Sequence, residues 1–345
     1  MLDVAHAAGV SAATVSRALS EPDKVRPETR RRVMETVRRL NYTPNEPARA
    51  LRAGTARMVL AAVPDLYSGA FFPAVVNAID AELSANGYTM ITGSLEGAEE
   101  KARRLVDLVY ARQIDGVIIL ANCSGPLDGR SVLRAGVPIV AISAELGETG
   151  HPTVLIDDEA CAIAQTRHLL DLGHRRLLYV SGPDGHYNDV HRYRGFRQAV
   201  REAGLASEDV QRFEGDFTLA SGVAAGRSFL GTRPQPTGVV CASDEMAIGF
   251  LKTVRTAGVE VPQDVSVVGF DDIEFAEFCE PALTTIHQPR SLLGATGARV
   301  LLQRLNGNPA MDKPIVIRGE LRVRGSTGHG PEVGWNRRTL RSSAG

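Results

Sequence analysis

From residue 58 onward, short apolar runs alternate with stretches of helical periodicity. The runs are Met58–Pro64, Tyr88–Thr92, Gly116–Leu120, Pro138–Ile142, Thr153–Ile156, Leu177–Ser181, Val239–Ala242 and Val265–Phe270. Between them, Phe72–Asn86, Glu99–Arg112, Glu159–Leu172, Tyr193–Ala203 and Met246–Ala257 carry apolar residues at helical spacing. Continuous apolar strands joined by helices predict parallel sheets covered on both faces, because an alternating pattern would mark a sheet with one wet face. Eight or more such units fit two doubly wound lobes better than one very wide sheet.

Ahead of this body the pattern changes to helices alone. Residues 3–8 (Asp-Val-Ala-His-Ala-Ala) predict a short helix, with Val4, Ala5 and Ala8 as its apolar stripe. Gly9 supplies the positive-φ position that ends it. Ser11 is an N-cap type residue for a second helix over 12–19. There Val15, Ala18 and Leu19 share one face, which leaves Ala12, Ala13, Ser16 and Arg17 outward. A third helix is predicted from Pro27, with Val33, Val37 and Leu40 at helical spacing. Two short helices joined by a glycine turn form a helix-turn-helix, whose second helix enters the DNA major groove. Small outward residues suit that role, since close approach to base edges needs a slim helix. An ordinary helical hairpin is the competing interpretation.

Charge divides along the same boundary. The 345 residues carry 39 Lys/Arg and 40 Asp/Glu, a net charge of −1. Residues 1–57 hold eleven basic against six acidic side chains, so the head is basic and the remaining 288 residues are acidic. A basic head on an acidic body is expected where one end meets a polyanion, although Arg30–Arg32 and Arg38–Arg39 could equally form a solvated face. Four cysteines at 123, 161, 241 and 279 include no CxxC pair, which argues against a zinc site or a disulfide framework and fits a reducing, cytoplasmic setting. No apolar run approaches the roughly 18 residues of a membrane span, and no signal peptide is expected.

The body lacks the signatures of common enzymes: no GxxxxGK[ST], no GxGxxG after a strand, no GxSxG and no HExxH. Asp271-Asp272 could be an acid/base pair, but no nucleophile or metal cluster accompanies it. Ligands of doubly wound lobes sit at the carboxyl ends of strands. Those ends carry Phe71 and Phe72, the stretch Gly182–Arg192, Phe217, Ser243-Asp244 and Asp271. Aromatic faces with Arg192 as a fork and Asp271 as a carboxylate suit a small polar ligand. Taken singly, Phe71 and Phe72 could be core, and Arg192 a surface charge.

The run from Asp3 to Arg17 (DVAHAAGVSAATVSR), followed by Asn41–Asn45 (NYTPN) and Ala48–Leu51 (ARAL), resembles the head of the lactose/purine repressor family of bacterial transcription regulators. The resemblance spans about residues 3–326. It implies an all-α helix-turn-helix DNA-binding head over 1–44 and a hinge helix and linker over 45–57. A periplasmic-binding-protein-like α/β body of two lobes, with doubly wound parallel sheets, would follow over 58–326. The tail 327–345 is expected to be disordered. The chain would cross between lobes near 157–160, 287–290 and 318–324.

By the same resemblance Ala12, Ala13, Thr14, Ser16 and Arg17 meet bases or phosphates. Asn45, Arg49 and Leu51 belong to a hinge whose leucine wedges into the minor groove, bends the duplex and needs a dimer on a near-palindromic operator. Because Ala12 and Ala13 offer no side-chain hydrogen bonds, Arg17 would do most of the direct readout, bidentate to a guanine. The family usually has a Thr-type cap before its first helix; here only Met1 and Leu2 precede Asp3. In the body, Phe71, Phe72, His186, Asn188, Arg192, Phe217, Ser243 and Asp271 fall on effector positions. Ser243 and Ser143 stand where sugar-binding members often carry Asn and Asp, which leaves a nucleoside open beside a sugar. The resemblance implies a homodimeric repressor controlled by a small polar effector, with no cofactor, metal or membrane partner. A solute-binding protein whose head makes protein contacts is the alternative. The tail offers no leucine heptad for a tetramer.

Overall fold

The computed structural model describes residues 1–42, 55–64, 69–95, 99–121, 131–146, 149–309 and 313–330. Its contacts divide the chain into a head, Met1–Arg57, and a body from Met58 onward.

The head consists of α1 (Leu2–Ala8), α2 (Ala12–Ser20) and α3 (Pro27–Arg39). Gly9 ends α1 in the left-handed conformation at φ 60°, and α1 begins with no side-chain cap. The Ser11 hydroxyl accepts the Thr14 N–H at 3.1 Å and so caps α2. Pro27 opens α3, and Arg38 and Arg39 complement its carboxyl end. Val4, Ala5, Ala8, Val15, Ala18 and Val33 form the head's core. Two details depart from the pattern. Ala12, expected outward, packs partly against that core, and Leu40 stays exposed while Thr36 is buried, its hydroxyl donating to the Arg32 carbonyl. The hinge residues Asn45, Arg49 and Leu51 lie outside the described residues.

The first lobe of the body is built on β1 (Met58–Ala62), β2 (Thr89–Gly93), β3 (Gly116–Leu120), β4 (Ile139–Ile142), β5 (Thr153–Ile156) and β11 (Ile315–Ile317). Their order is β11-β5-β4-β3-β1-β2, all parallel. Helices α4 (Phe72–Ala85), α5 (Glu99–Tyr110) and α11 (Arg290–Leu305) cover it. The second lobe uses β6 (Leu177–Ser181), β7 (Val210–Glu214), β8 (Gly238–Cys241), β9 (Ser266–Asp271), β10 (Thr284–His287) and β12 (Glu320–Arg322). Here the order is β12-β10-β9-β8-β6-β7, with only β12 antiparallel. Its helices are α6 (Asp158–Asp171), α7 (Tyr187–Glu202), α8 (Leu219–Gly231), α9 (Asp244–Thr256) and the short α10 (Glu274–Phe278). β3, β6 and β9 are buried along their whole length, as continuous apolar runs require. The chain passes between lobes at residue 157, at 288–289 and at 318–319, within the expected windows.

Helix α7 begins at Tyr187, six residues before the apolar pattern predicts. Its first turns bury Asn188, Asp189 and Arg192, so polar side chains occupy the inward face and erase the periodicity. Residues 327–330, assigned from sequence to the tail, instead pack against the second lobe. The Thr327 hydroxyl bonds His168, the Gly328 N–H donates to the Ser266 hydroxyl, and the Gly330 N–H donates to the Leu172 carbonyl.

Candidate functional site

On the head, α2 presents Ala13 and Arg17 to solvent, with Thr14 and Ser16 half-buried between them and the core face. The Thr14 hydroxyl also pairs with Ser11 at 2.9 Å, so it stiffens the start of the helix that it flanks. Arg17, four residues after Ala13 and thus one turn along the same face, has a clear path outward.

In the body a cavity of about 210 Å³ opens at the carboxyl ends of the strands. All eight side chains expected there from sequence line it: Phe71, Phe72, His186, Asn188, Arg192, Phe217, Ser243 and Asp271. The strand-end rule accounts for this gathering, since Pro64, Ala121, Ser143, Pro183, Asp216, Ser243 and Asp271 each stand at or just after the end of a strand and all border the space. Four lining residues that are not glycine hold positive φ: Ala121 at 53°, Ser143 at 54°, Phe217 at 66° and Asp271 at 127°. Backbone conformations this costly persist where the surroundings impose them, and here they aim side chains into one space.

The polar floor is organised by a residue the sequence did not single out. Asp158, first in α6, receives Arg192 Nε on one oxygen at 2.8 Å and Asn188 Nδ2 on the other at 2.9 Å. Arg192 also donates from Nη1 to the Ala242 carbonyl at 2.6 Å and stands 3.8 Å from Asp271 Oδ1. Its guanidinium carbon lies 3.8 Å from the centre of the Phe270 ring, a cation–π contact. Burial works against the Arg192 charge, and Asp158 and Asp271 outweigh it, raising its pKa further. Burial drives the Asp271 carboxyl well above its ordinary range, against the pull of Arg192, while Gln288 Nε2 donates to it at 2.6 Å.

The walls are aromatic. Phe71 and Phe72 meet edge to face at 5.2 Å, and His186 meets Phe217 at 5.1 Å in the same manner. Gly182 makes room for Phe217: a Cβ there would fall 2.1 Å from the ring. Burial, reinforced by Arg192, lowers the His186 pKa to about 4, so its imidazole is neutral near pH 7. Among the described residues, His186 Nδ1 and Ser143 Oγ are buried without a hydrogen-bond partner, and both residues border the cavity. Orphaned buried polar atoms call for an explanation, and a ligand in this space supplies one. Sequence reasoning also passed over Asp216, Thr218 and Glu245. Thr218 and Ser243 look like plain helix caps, and they are: their hydroxyls accept the N–H groups of Ser221 and Met246.

No group of three or more His, Cys, Asp or Glu side chains among the described residues is placed to hold a metal ion. Nor is any described helix long and apolar enough to cross a membrane.

Comparison with known proteins follows the same division of the chain. Residues 1–45 match the family described as "Bacterial regulatory proteins, lacI family", and residues 166–327 match "Periplasmic binding protein-like domain". The chain is 34% identical over 328 residues to the HTH-type transcriptional repressor CytR of Escherichia coli strain K12, covering 95% of this chain and 96% of that protein. It is 34% identical over 330 residues to the HTH-type transcriptional regulator CelR of Thermobifida fusca, covering 94% and 96%. Among solved structures, the lac repressor dimer bound to operator and the anti-inducer ONPF superposes with a TM-score of 0.83 at 29% identity, over 94% of this chain and 98% of that one. The CelR–cellobiose complex gives 0.71 at 33% identity, with the same coverage. With a three-helix head, a strand-end cavity in the body and relatives matched along nearly their whole length, the chain belongs to the lacI family of bacterial regulatory proteins.

Proposed function

We propose that this protein is a DNA-binding transcription repressor of the cytoplasm, acting as a homodimer on a near-palindromic operator. A small polar effector, a sugar or a nucleoside, bound between the lobes controls it. Arg17 reads a base in the major groove beside Ala12 and Ala13, with Thr14 and Ser16 on the flanks. Asn45, Arg49 and Leu51 form the hinge that reaches the minor groove. Phe71, Phe72 and Phe217 flank the effector, and His186, Asn188, Arg192, Ser243 and Asp271 bond its polar groups. No catalytic step is assigned to Asp271 or Asp272. Asp271 is held by Arg192 and Gln288, and Asp272 by His287 and Arg324.

The observation that carries the reading is the cavity itself, where eight side chains drawn from both lobes converge with two orphaned polar atoms among its borders. Arg192 is the one Lys or Arg side chain lining it among the described residues. It is already matched by Asp158, which leaves no unmatched Lys or Arg among the described lining residues for a phosphate. An uncharged ligand therefore fits better than a phosphorylated one. Effector and operator share a coupling free energy, about 1–3 kcal/mol in such systems and reciprocal by linkage.

The test joins two measurements on the full chain. A thermal-shift screen of sugars and nucleosides should yield a ligand that raises the unfolding temperature, since a ligand at 100 times its Kd adds about 2.7 kcal/mol. The same ligand should change affinity for palindromic duplexes selected from random sequence. A protein that selects no duplex over random DNA would overturn the reading.

A further inference from the structure

Ala70 of the first lobe is held at both its N–H and its carbonyl, the N–H from across the cleft and the carbonyl by a first-lobe arginine that itself reaches the second lobe. Ala70 lies between β1 and α4, and its N–H donates to Glu245 Oε1 at 2.8 Å. Glu245 belongs to the first turn of α9 in the second lobe. The Ala70 carbonyl accepts Arg290 Nη1 at 3.3 Å, and Arg290 Nη2 donates to the Asp272 carbonyl of the second lobe at 2.8 Å. The approach depends on the preceding glycine, for a Cβ at Gly69 would stand 3.2 Å from the same carboxylate oxygen. The next two residues are Phe71 and Phe72, the aromatic wall of the first lobe, and Glu245 itself borders the cavity. Burial pushes the Glu245 carboxyl upward, and the Ala70 N–H opposes it, as expected of a carboxylate taken out of water for one specific donor.

We infer that Glu245 is a positioning residue that clasps the first lobe through Ala70, holding the cleft closed and Phe71-Phe72 over the cavity. The inference rests on the reading of the cavity as the effector site for its consequence, though not for the clasp. A hydrogen bond to a charged acceptor shifts the balance of closed over open forms by about ten- to a hundredfold. Ligand affinity scales with the closed fraction, so the clasp sets how strongly an effector binds and how much closure remains for it to drive. The side chain needs no contact with the effector to do this, which separates it from Arg192 and Asp271. Arg290 reinforces the grip by tying the Ala70 carbonyl to the backbone of Asp272.

Hydrogen–deuterium exchange on the full chain, without DNA or effector, reads the clasp directly at the amide of Ala70. In E245A this amide should exchange at least about tenfold faster than in the wild type, while amides in β6, β8 and β9 keep their rates. E245Q retains an acceptor oxygen, though a neutral one, and should exchange more slowly than E245A. G69A, which crowds the contact without removing charge, should fall between the two. Should E245A fail to fold, G69A and R290M carry the test, the latter loosening the carbonyl side. A wild-type Ala70 amide that exchanges like an unprotected one, or rates unchanged in E245A or G69A, would overturn the inference. Because neither operator nor ligand is present, the clasp can fail while the regulator reading stands, and the reverse.

Discussion

Arg192 and Asp158 meet at 2.8 Å with side chains only 7% and 2% exposed, although 34 positions separate them in the chain. Asp158 does not border the cavity, yet it orients two residues that do. Replacing one member of a buried pair leaves the other charge unmatched, which typically costs about 3–5 kcal/mol. Arg192→Met is therefore expected to lower the stability of the body by that amount in urea unfolding. Asp158→Asn removes the other member of the pair and should lower stability as well. A carboxamide carries no charge to match Arg192 and puts an amide nitrogen where one of the two accepting oxygens stood, so the variant should also lose most effector-induced thermal stabilisation. A variant that keeps the full ligand shift would show that the pair serves stability alone.

Gly182 offers a separate probe of the wall. A methyl at this position would lie 2.1 Å from Phe217 Cζ, and Phe217 is constrained by its own positive φ of 66°. Gly182→Ala should push the ring into the cavity. The expected result is a folded protein, intact by circular dichroism, whose affinity for the effector falls at least tenfold, an estimate that assigns the displaced ring about 1.4 kcal/mol. Operator binding without effector should persist, because the altered side chain is confined to the body.

Much of this was open to sequence reasoning, and the gaps have physical causes. Buried parallel strands announce themselves as apolar runs, and the strand-end rule led from them to Ser243 and Asp271, whereas Phe217 follows β7, whose residues are only partly buried and form no apolar run. Helices α8 and α11 went unannounced because glycines interrupt their pattern. Gly222, Gly226 and Gly249 let α8 and α9 approach so closely that a Cβ at Gly222 would meet the Met246 carbonyl at 2.1 Å. Gly294 likewise abuts the Val75 carbonyl, where α11 packs on α4. Tight packing selected residues that local propensity counts against. Asp158 was missed for a different reason. An acidic residue opening a helix reads as a cap, and only the tertiary fold brings Arg192 to it. Glu245 is alike in this, since its partner is a backbone amide 175 positions away.

Asp244 predicts a pH dependence with a definite sign. It is fully buried, accepts the Thr285 hydroxyl and the Ile273 N–H, and has its pKa raised by burial to about 7. An unfolded Asp titrates near 3.9. The folded state therefore binds more protons between those values, and the contribution of this group to stability is full below about pH 4 and lost as pH rises through about 7. His186 titrates with the opposite sign. Its pKa, lowered by burial to about 4, makes stability fall as pH drops below its unfolded value near 6.5. The whole-protein curve mixes the two. Urea midpoints from pH 4 to 8 for wild type and Asp244→Asn separate them: the difference should shrink or reverse toward pH 8. A difference independent of pH would mean that Asp244 stays ionised throughout.

On the head, the division of labour along α2 can be measured at the duplex. Ala12 packs partly on the core, Ala13 is small, and Arg17 is exposed one turn further along the same face. If Arg17 reads a guanine with two hydrogen bonds, Arg17→Met should cost about 1–3 kcal/mol on the preferred palindrome and flatten selectivity at one base pair in each half-site. Binding to random duplex should fall much less, because that binding comes from phosphate contacts. A surface arginine such as Arg31 of α3 provides the contrast. If it meets phosphate, Arg31→Gln should weaken both duplexes equally and reduce the salt slope by about one. Titrations at several salt concentrations distinguish the two behaviours. An Arg17 variant that followed the second pattern would make it a phosphate anchor and would leave base recognition to groups beyond α2.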